Sequence, residues 1–112
     1  MTVPAHAEAA AGAWDRLSLV EQLAHVGSEV ERAIRSHDAG RRARWEAALD
    51  RALELFDLTA RDPRWRGHRR QEVLRAREEF CRLFFGGSPP SGSAAGLRRY
   101  FLHFAIAARN RR

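Results

Sequence analysis

Apolar residues recur along most of this chain at intervals of three and four, and nowhere at every second position. Leu19, Leu23, Val26, Val30, Ala33 and Ile34 form the first stripe. It begins just after Ser18-Leu19-Val20-Glu21, whose spacing lets the serine oxygen accept an early backbone N–H while the glutamate returns to the N–H of the cap. It ends at Ser36-His37-Asp38-Ala39-Gly40, where glycine is a natural C-terminal stop. These marks predict a helix over about 18–37. A second stripe, Trp45, Leu49, Ala52, Phe56 and Thr59, is broadened by Ala48, Leu53 and Leu55 and predicts a helix over 41–61.

Asp62-Pro63 ends that second helix, because proline disfavours helical geometry in the residue before it. The same pair reads as the start of a third helix over 63–85, with Asp62 as N-cap and Pro63 at the first helical position. Almost no linker is then left, and helices two and three meet at a sharp corner. Val73, Leu74, Phe80, Cys81, Phe84 and Phe85 are its expected core residues. Gly86-Gly87-Ser88-Pro89-Pro90-Ser91-Gly92 is the clearest loop in the chain. Ser93 then caps a fourth helix over 93–109, with a stripe of Leu97, Tyr100, Phe101, Phe104, Ala105 and Ala108. Residues 1–13 read as a flexible Ala-rich lead. The remainder, 14–112, is expected to form one all-α domain, an antiparallel up-down-up-down four-helix bundle.

Composition narrows the class. With 45% hydrophobic and 30% charged residues among 112, the chain is globular rather than disordered in character. The lone cysteine, Cys81, leaves no partner for a disulfide within the chain and no Cys-based zinc site. Its place between Phe80 and Phe84 marks it as a buried, inert thiol. The first residues lack a basic n-region, and no apolar run approaches the ~18 residues of a membrane span. The expectation is a cytoplasmic protein without membrane contact.

Charge changes the picture most. The net charge is +6, and all 20 basic residues are arginine. The absence of lysine beside so much alanine fits a GC-rich coding bias, so no single arginine argues for itself. Their distribution does. Residues 1–60 carry seven arginines against ten acids, 61–97 carry eight against four, and 98–112 carry five arginines and no acid. In the expected bundle the end of helix two, the start of helix three and the end of helix four share one end. That parity gathers Arg61, Arg64, Arg66, Arg69 and Arg70 with Arg109, Arg111 and Arg112 into one basic cap. Such a cap attracts phosphate backbones with salt-sensitive affinity, and Trp65 and His68 within it are candidates for stacking on unpaired bases. The macrodipole itself favours cations at the end of helix four, but it opposes those in the first turn of helix three.

Other chemistry is thin. His25 and Glu29 lie one turn apart near Arg32, yet the paired Glu-x-x-His motifs of a bundle di-metal site are missing, so no metal or other cofactor is expected. Glu54, Asp57, Arg77 and Glu78 read instead as inter-helical salt bridges. There is no Gly-rich phosphate loop followed by lysine and no Ser/His/Asp arrangement, so the chain is not expected to be an enzyme. Tyr100-Phe101-Leu102-His103-Phe104 is apolar nearly all round a short helix, which points to burial against a second copy of the chain.

Four segments carry a resemblance: Gly27-Ser28-Glu29-Val30-Glu31-Arg32-Ala33, Ala52-Leu53-Glu54-Leu55-Phe56-Asp57-Leu58-Thr59, Arg75-Ala76-Arg77-Glu78-Glu79-Phe80-Cys81, and Tyr100 to Arg109. From Trp14 onward the chain resembles a family of small bacterial four-helix-bundle proteins of unassigned function. In size, charge and architecture it is also similar to the accessory variability determinants of diversity-generating retroelements. That likeness implies a basic homo-oligomer that binds a reverse transcriptase and its RNA. Arg82-Leu83 and the Pro/Ser-rich loop after them depart from the pattern that follows the matching cysteine. The alternative expectation is a protein–protein interaction scaffold or antitoxin-like module that binds no nucleic acid.

Overall fold

Ser18 Oγ accepts the Glu21 N–H at 3.2 Å and Glu21 Oε1 accepts the Ser18 N–H at 3.0 Å, so the capping box forms and starts helix α1, Leu19–Asp38. At its other end Gly40 takes φ +69. The Gly40 N–H donates to His37 O at 3.1 Å and the Arg41 N–H to Ser36 O at 2.9 Å, a Schellman closure that lets the chain turn straight into α2, Arg42–Arg61. Helices α3, His68–Phe85, and α4, Ser93–Asn110, complete the order. The computed structural model describes residues 12–86 and 93–110; the lead up to residue 11, the loop at 87–92, Arg111 and Arg112 lie outside them. The protein is all-α, with no strand among the described residues.

The third helix departs from expectation. Asp62 is not its N-cap, and Pro63 is not its first residue. Residues 62–67 form an irregular connection, in which the Trp65 N–H returns to Asp62 O at 3.1 Å and Gly67 takes φ +61 before α3 begins at His68. The reason is tertiary. The Asp62 carboxylate turns inward, 3% exposed, where the buried Gln22 and the exposed Arg64 hold it more strongly than a helix start would.

Helix α1 packs against α2 and α4, and α3 against the same two. The core centres on α1, whose Leu23, Val26, Val30 and Ala33 are almost completely buried. Gly27 lets α4 approach closely, since a Cβ there would stand 2.7 Å from Phe101 Cβ. Phe56 stands between the other two helices, its ring centroid 5.8 Å from Phe80 and 6.0 Å from Phe101. From α3 only Val73, Ala76 and Phe80 are buried. Leu74 and Phe85, expected in the core, are 43% and 63% exposed. The buried stripe of α3 is one residue wide, so a neighbour of Val73 falls on its flank, 100° round the helix.

Two ion pairs tie helices together at the surface, Arg77 Nε to Asp57 Oδ1 at 3.0 Å and Arg98 Nε to Glu31 Oε2 at 2.7 Å. The first belongs to the group of charges expected to bridge helices two and three. Glu31 meets Arg98 one turn beyond the contact of Gly27 with Phe101, so α4 runs antiparallel to α1.

Candidate nucleic-acid interface

The expected basic end is built on a buried polar knot. Gln22 on α1 is fully buried, and its Nε2 donates to Trp14 O at 2.9 Å and to Asp62 Oδ2 at 3.0 Å. Its Oε1 accepts the Trp65 indole N–H at 2.7 Å. Beside it the Trp14 indole donates to Thr59 Oγ1 at 3.1 Å, and that hydroxyl donates onward to Leu55 O at 2.8 Å. The knot joins the start of α1, the end of α2 and the 62–67 connection, segments far apart in sequence. Every hydrogen bond that these side chains make is directional, so together they set where the connection runs.

Arg64 closes the knot from outside. Its Nη2 donates to Asp62 Oδ2 and to Leu17 O, each at 2.7 Å, and its guanidinium carbon lies 4.5 Å from the centre of the Trp65 ring. The Arg64 side chain and backbone, with Gln22, outweigh the cost of burial and hold the Asp62 carboxyl at about 2, below its usual 3.8. A carboxylate whose pKa falls on folding stabilises the folded state above its unfolded pKa and loses that contribution as pH drops through the folded value. The stability of the wild type is therefore expected to fall between about pH 4 and pH 2, and Asp62→Asn to be destabilising near neutrality and to flatten that limb. Melting temperatures of both proteins from pH 5 to 2 check this: a difference between them that stays constant with pH contradicts it.

Of the residues expected to contact nucleic acid, two are thus engaged in holding the fold. Arg64 is locked on Asp62, and Trp65 is half-buried, with its N–H on Gln22 and one face beside Arg64. The others are exposed: Arg61, Arg66, His68, Arg69, Arg70 and Arg109. Three of them donate only Nε inward, Arg61 to Asp57 O at 3.3 Å, Arg66 to Pro63 O at 3.1 Å and Arg70 to Ala60 O at 3.1 Å. Arg70 thereby satisfies a carbonyl in the last turn of α2. Each such bond fixes the root of a guanidinium and leaves its Nη groups outward, a posture suited to phosphate oxygens. The antiparallel run of α4 along α1 carries Arg109 towards this same end. Arg111 and Arg112 lie outside the described residues.

At the other end of α1 a second basic surface escaped the sequence reading. Arg35, Arg41, Arg44 and Arg98 line one groove between α1, α4 and the start of α2. Segment totals hid it, because residues 1–60 are net acidic. The one local sign was an Arg41-Arg42-Ala43-Arg44 start to α2 with no capping side chain.

Elsewhere, His25 stacks against Trp14 at 5.7 Å, and Glu29 bonds Arg32 at 3.0 Å. Cys81 is half-buried rather than buried. Among the described residues no three His, Cys, Asp or Glu side chains are placed to hold a metal ion, and no helix is long and apolar enough to cross a membrane. The Tyr100 hydroxyl donates a hydrogen bond to Glu72 Oε1 at 2.6 Å, and burial together with that carboxylate raises the phenol pKa well above its usual range.

What the fold and site define is an all-α protein with arginines gathered at two places on its surface. Compared with protein-family models, curated proteins and solved structures, the chain matches none of them.

Proposed function

We propose that this protein is a non-enzymatic, cytoplasmic accessory factor that binds nucleic acid through its basic end. In this reading the helices form an antiparallel up-down-up-down four-helix bundle. The observation that carries the proposal is the set of exposed cations at 61–70. Arg61, Arg66, His68, Arg69 and Arg70 are all exposed, and Asp62, the one carboxylate within this stretch of sequence, is already buried against Arg64 and Gln22. Phosphates are the natural counter-charge for guanidinium groups left in this state. Arg109 extends the surface. The role of Arg64 and Trp65 is to shape it, since Arg64 Nε and Nη2 are held by Asp62 and Leu17 O and the Trp65 indole N–H by Gln22. The likeness to retroelement accessory proteins supports a reverse transcriptase and its RNA as the partners.

The double charge reversal Arg66→Glu/Arg69→Glu is expected to weaken binding to a structured RNA at least about tenfold at ~50 mM salt and to flatten the dependence of affinity on salt. The melting temperature should stay within a few degrees of the wild type, because neither side chain belongs to the buried knot. RNA affinity equal to that of the wild type at both ~50 and ~300 mM salt rejects the interface.

One observation favours the alternative, a scaffold or antitoxin-like module that binds only protein. Leu102 and Ile106 are 54% and 46% exposed, one turn apart on α4. In the leading proposal this pair faces another copy of the chain in a homo-oligomer. In the alternative it faces a different protein, and the chain takes up no RNA at any salt concentration.

A further inference from the structure

The groove between α1, α4 and the start of α2 has a volume of 860 Å³ and runs along α1 from Ala24 to Ala39, with Arg35, Arg41 and Arg44 at the end remote from the 61–70 connection. Arg35, Arg41, Arg44 and Arg98 all line it, and Glu31 is the one carboxylate among its lining residues. Glu31 is already committed to Arg98 at 2.7 Å. Arg35, Arg41 and Arg44 are exposed and have no carboxylate partner among the described residues. Three unopposed guanidinium groups around one concavity repel each other unless an anion sits between them.

Two features of the groove wall favour such an anion. The first turn of α2 contains no acidic residue, and its N-cap, Arg41, offers no side-chain hydrogen bond. The free N–H groups at the start of a 20-residue helix therefore point out beside Arg41 and Arg44. Independently, Ser36 is only 8% exposed, lines the groove, and its hydroxyl has no hydrogen-bond partner among the described residues. A serine that deep in a helix ordinarily returns its proton to the carbonyl four residues back, as Ser28 does to Ala24 at 3.3 Å. Ser36 instead leaves its donor unpartnered at the groove wall.

We propose that this groove binds a phosphate group, with Arg35, Arg41 and Arg44 as the charge clamp, Ser36 as a neutral donor and the first turn of α2 as a backbone cradle. Arg98, held against Glu31, forms the far rim. The site is separate from the 61–70 surface and does not rest on the function proposed for it. Its phosphate is either a free oligophosphate or one unit of a phosphodiester backbone.

The test is titration calorimetry of the full chain with inorganic pyrophosphate, for the wild type, Arg35→Gln/Arg44→Gln, Arg41→Gln and Arg66→Glu/Arg69→Glu, each checked for folding by circular dichroism. Saturable binding by the wild type is expected, weakened roughly tenfold or more in the double glutamine variant, less in Arg41→Gln, and unchanged in Arg66→Glu/Arg69→Glu. Absence of saturable pyrophosphate binding by the wild type overturns the proposal. So does wild-type affinity in whichever of the two glutamine variants is folded. A ten-nucleotide single strand, added to the Arg66→Glu/Arg69→Glu protein, tells the sources apart. Displacement of pyrophosphate assigns the groove to a nucleic-acid backbone, and its absence to a free oligophosphate. Loss of RNA binding in Arg66→Glu/Arg69→Glu bears only on the other surface.

Discussion

Phe80→Ala is expected to cost about 4 kcal/mol of stability. Phe80 is fully buried, and its ring packs on Phe56 at 5.8 Å and on Phe84 at 5.4 Å. Truncation removes the transfer energy of the ring and leaves a cavity that Phe56 on α2 and Phe84 on α3 cannot refill without moving. Position adds to the effect. The only other buried residues of α3 are Val73 and Ala76, so Phe80 is the one aromatic side chain of this helix that is fully buried. A domain of this size has only about 5–15 kcal/mol in total, so α3 is expected to loosen before the rest unfolds. Urea denaturation with hydrogen exchange resolved along the chain measures both. A loss below about 1.5 kcal/mol, or α3 amides exchanging no faster than those of α1, contradicts this account.

Gln22→Leu comes next, with an expected loss of about 3 kcal/mol. Leucine fills nearly the same volume, so the cost is polar rather than steric. Trp65 Nε1 loses its acceptor at 2.7 Å, and Asp62 loses one of the donors that hold its charge inside the protein. Trp14 O is spared, because the Leu17 N–H also donates to it at 3.0 Å. The apolar gain from a leucine in a buried place offsets part of the loss, which keeps the figure below the sum over the separate groups. A signature beyond stability follows. Gln22 helps to lower the Asp62 pKa, so in the variant that carboxylate contributes less stability near neutrality, and the acid limb should be shallower than in the wild type and end at a higher pH. A variant as stable as the wild type, with the same acid limb, would mean that the knot contributes little to the fold.

Helix existence was legible in the sequence wherever a periodic stripe met local stop and start chemistry. Ser18 with Glu21 marked the beginning of α1, and Gly40 its end, because capping involves only backbone groups within one turn. Asp62-Pro63 carried an equally good local signal and misled. An aspartate before a proline is a fine helix start when nothing else competes, but here Gln22, 40 residues away, and Arg64 bind the carboxylate inside the protein. α3 consequently starts at His68, and a connection takes the place of a corner. The candidate interface was legible as charge and illegible as roles. Arg64 and Arg66 look alike in sequence, yet one closes on Asp62 and Leu17 O while the other bonds only Pro63 O. Nothing in the spacing distinguishes them, since the difference lies in what Leu17 and Gln22 bring up from the first helix.

The sequence by itself determined the all-α class, the approximate extent of α1, α2 and α4, the core stripe of α1 and the basic character of residues 61–70. These depend on periodicity, capping and composition, which act over a few residues. Only the tertiary structure decided that Trp65 is held by Gln22, that Leu74 and Phe85 lie outside the core, and that Arg35, Arg41, Arg44 and Arg98 share a groove. Those outcomes depend on which helix faces meet, and a pairing across 40 or 60 residues is selected by the packing of the whole core rather than by any segment within it.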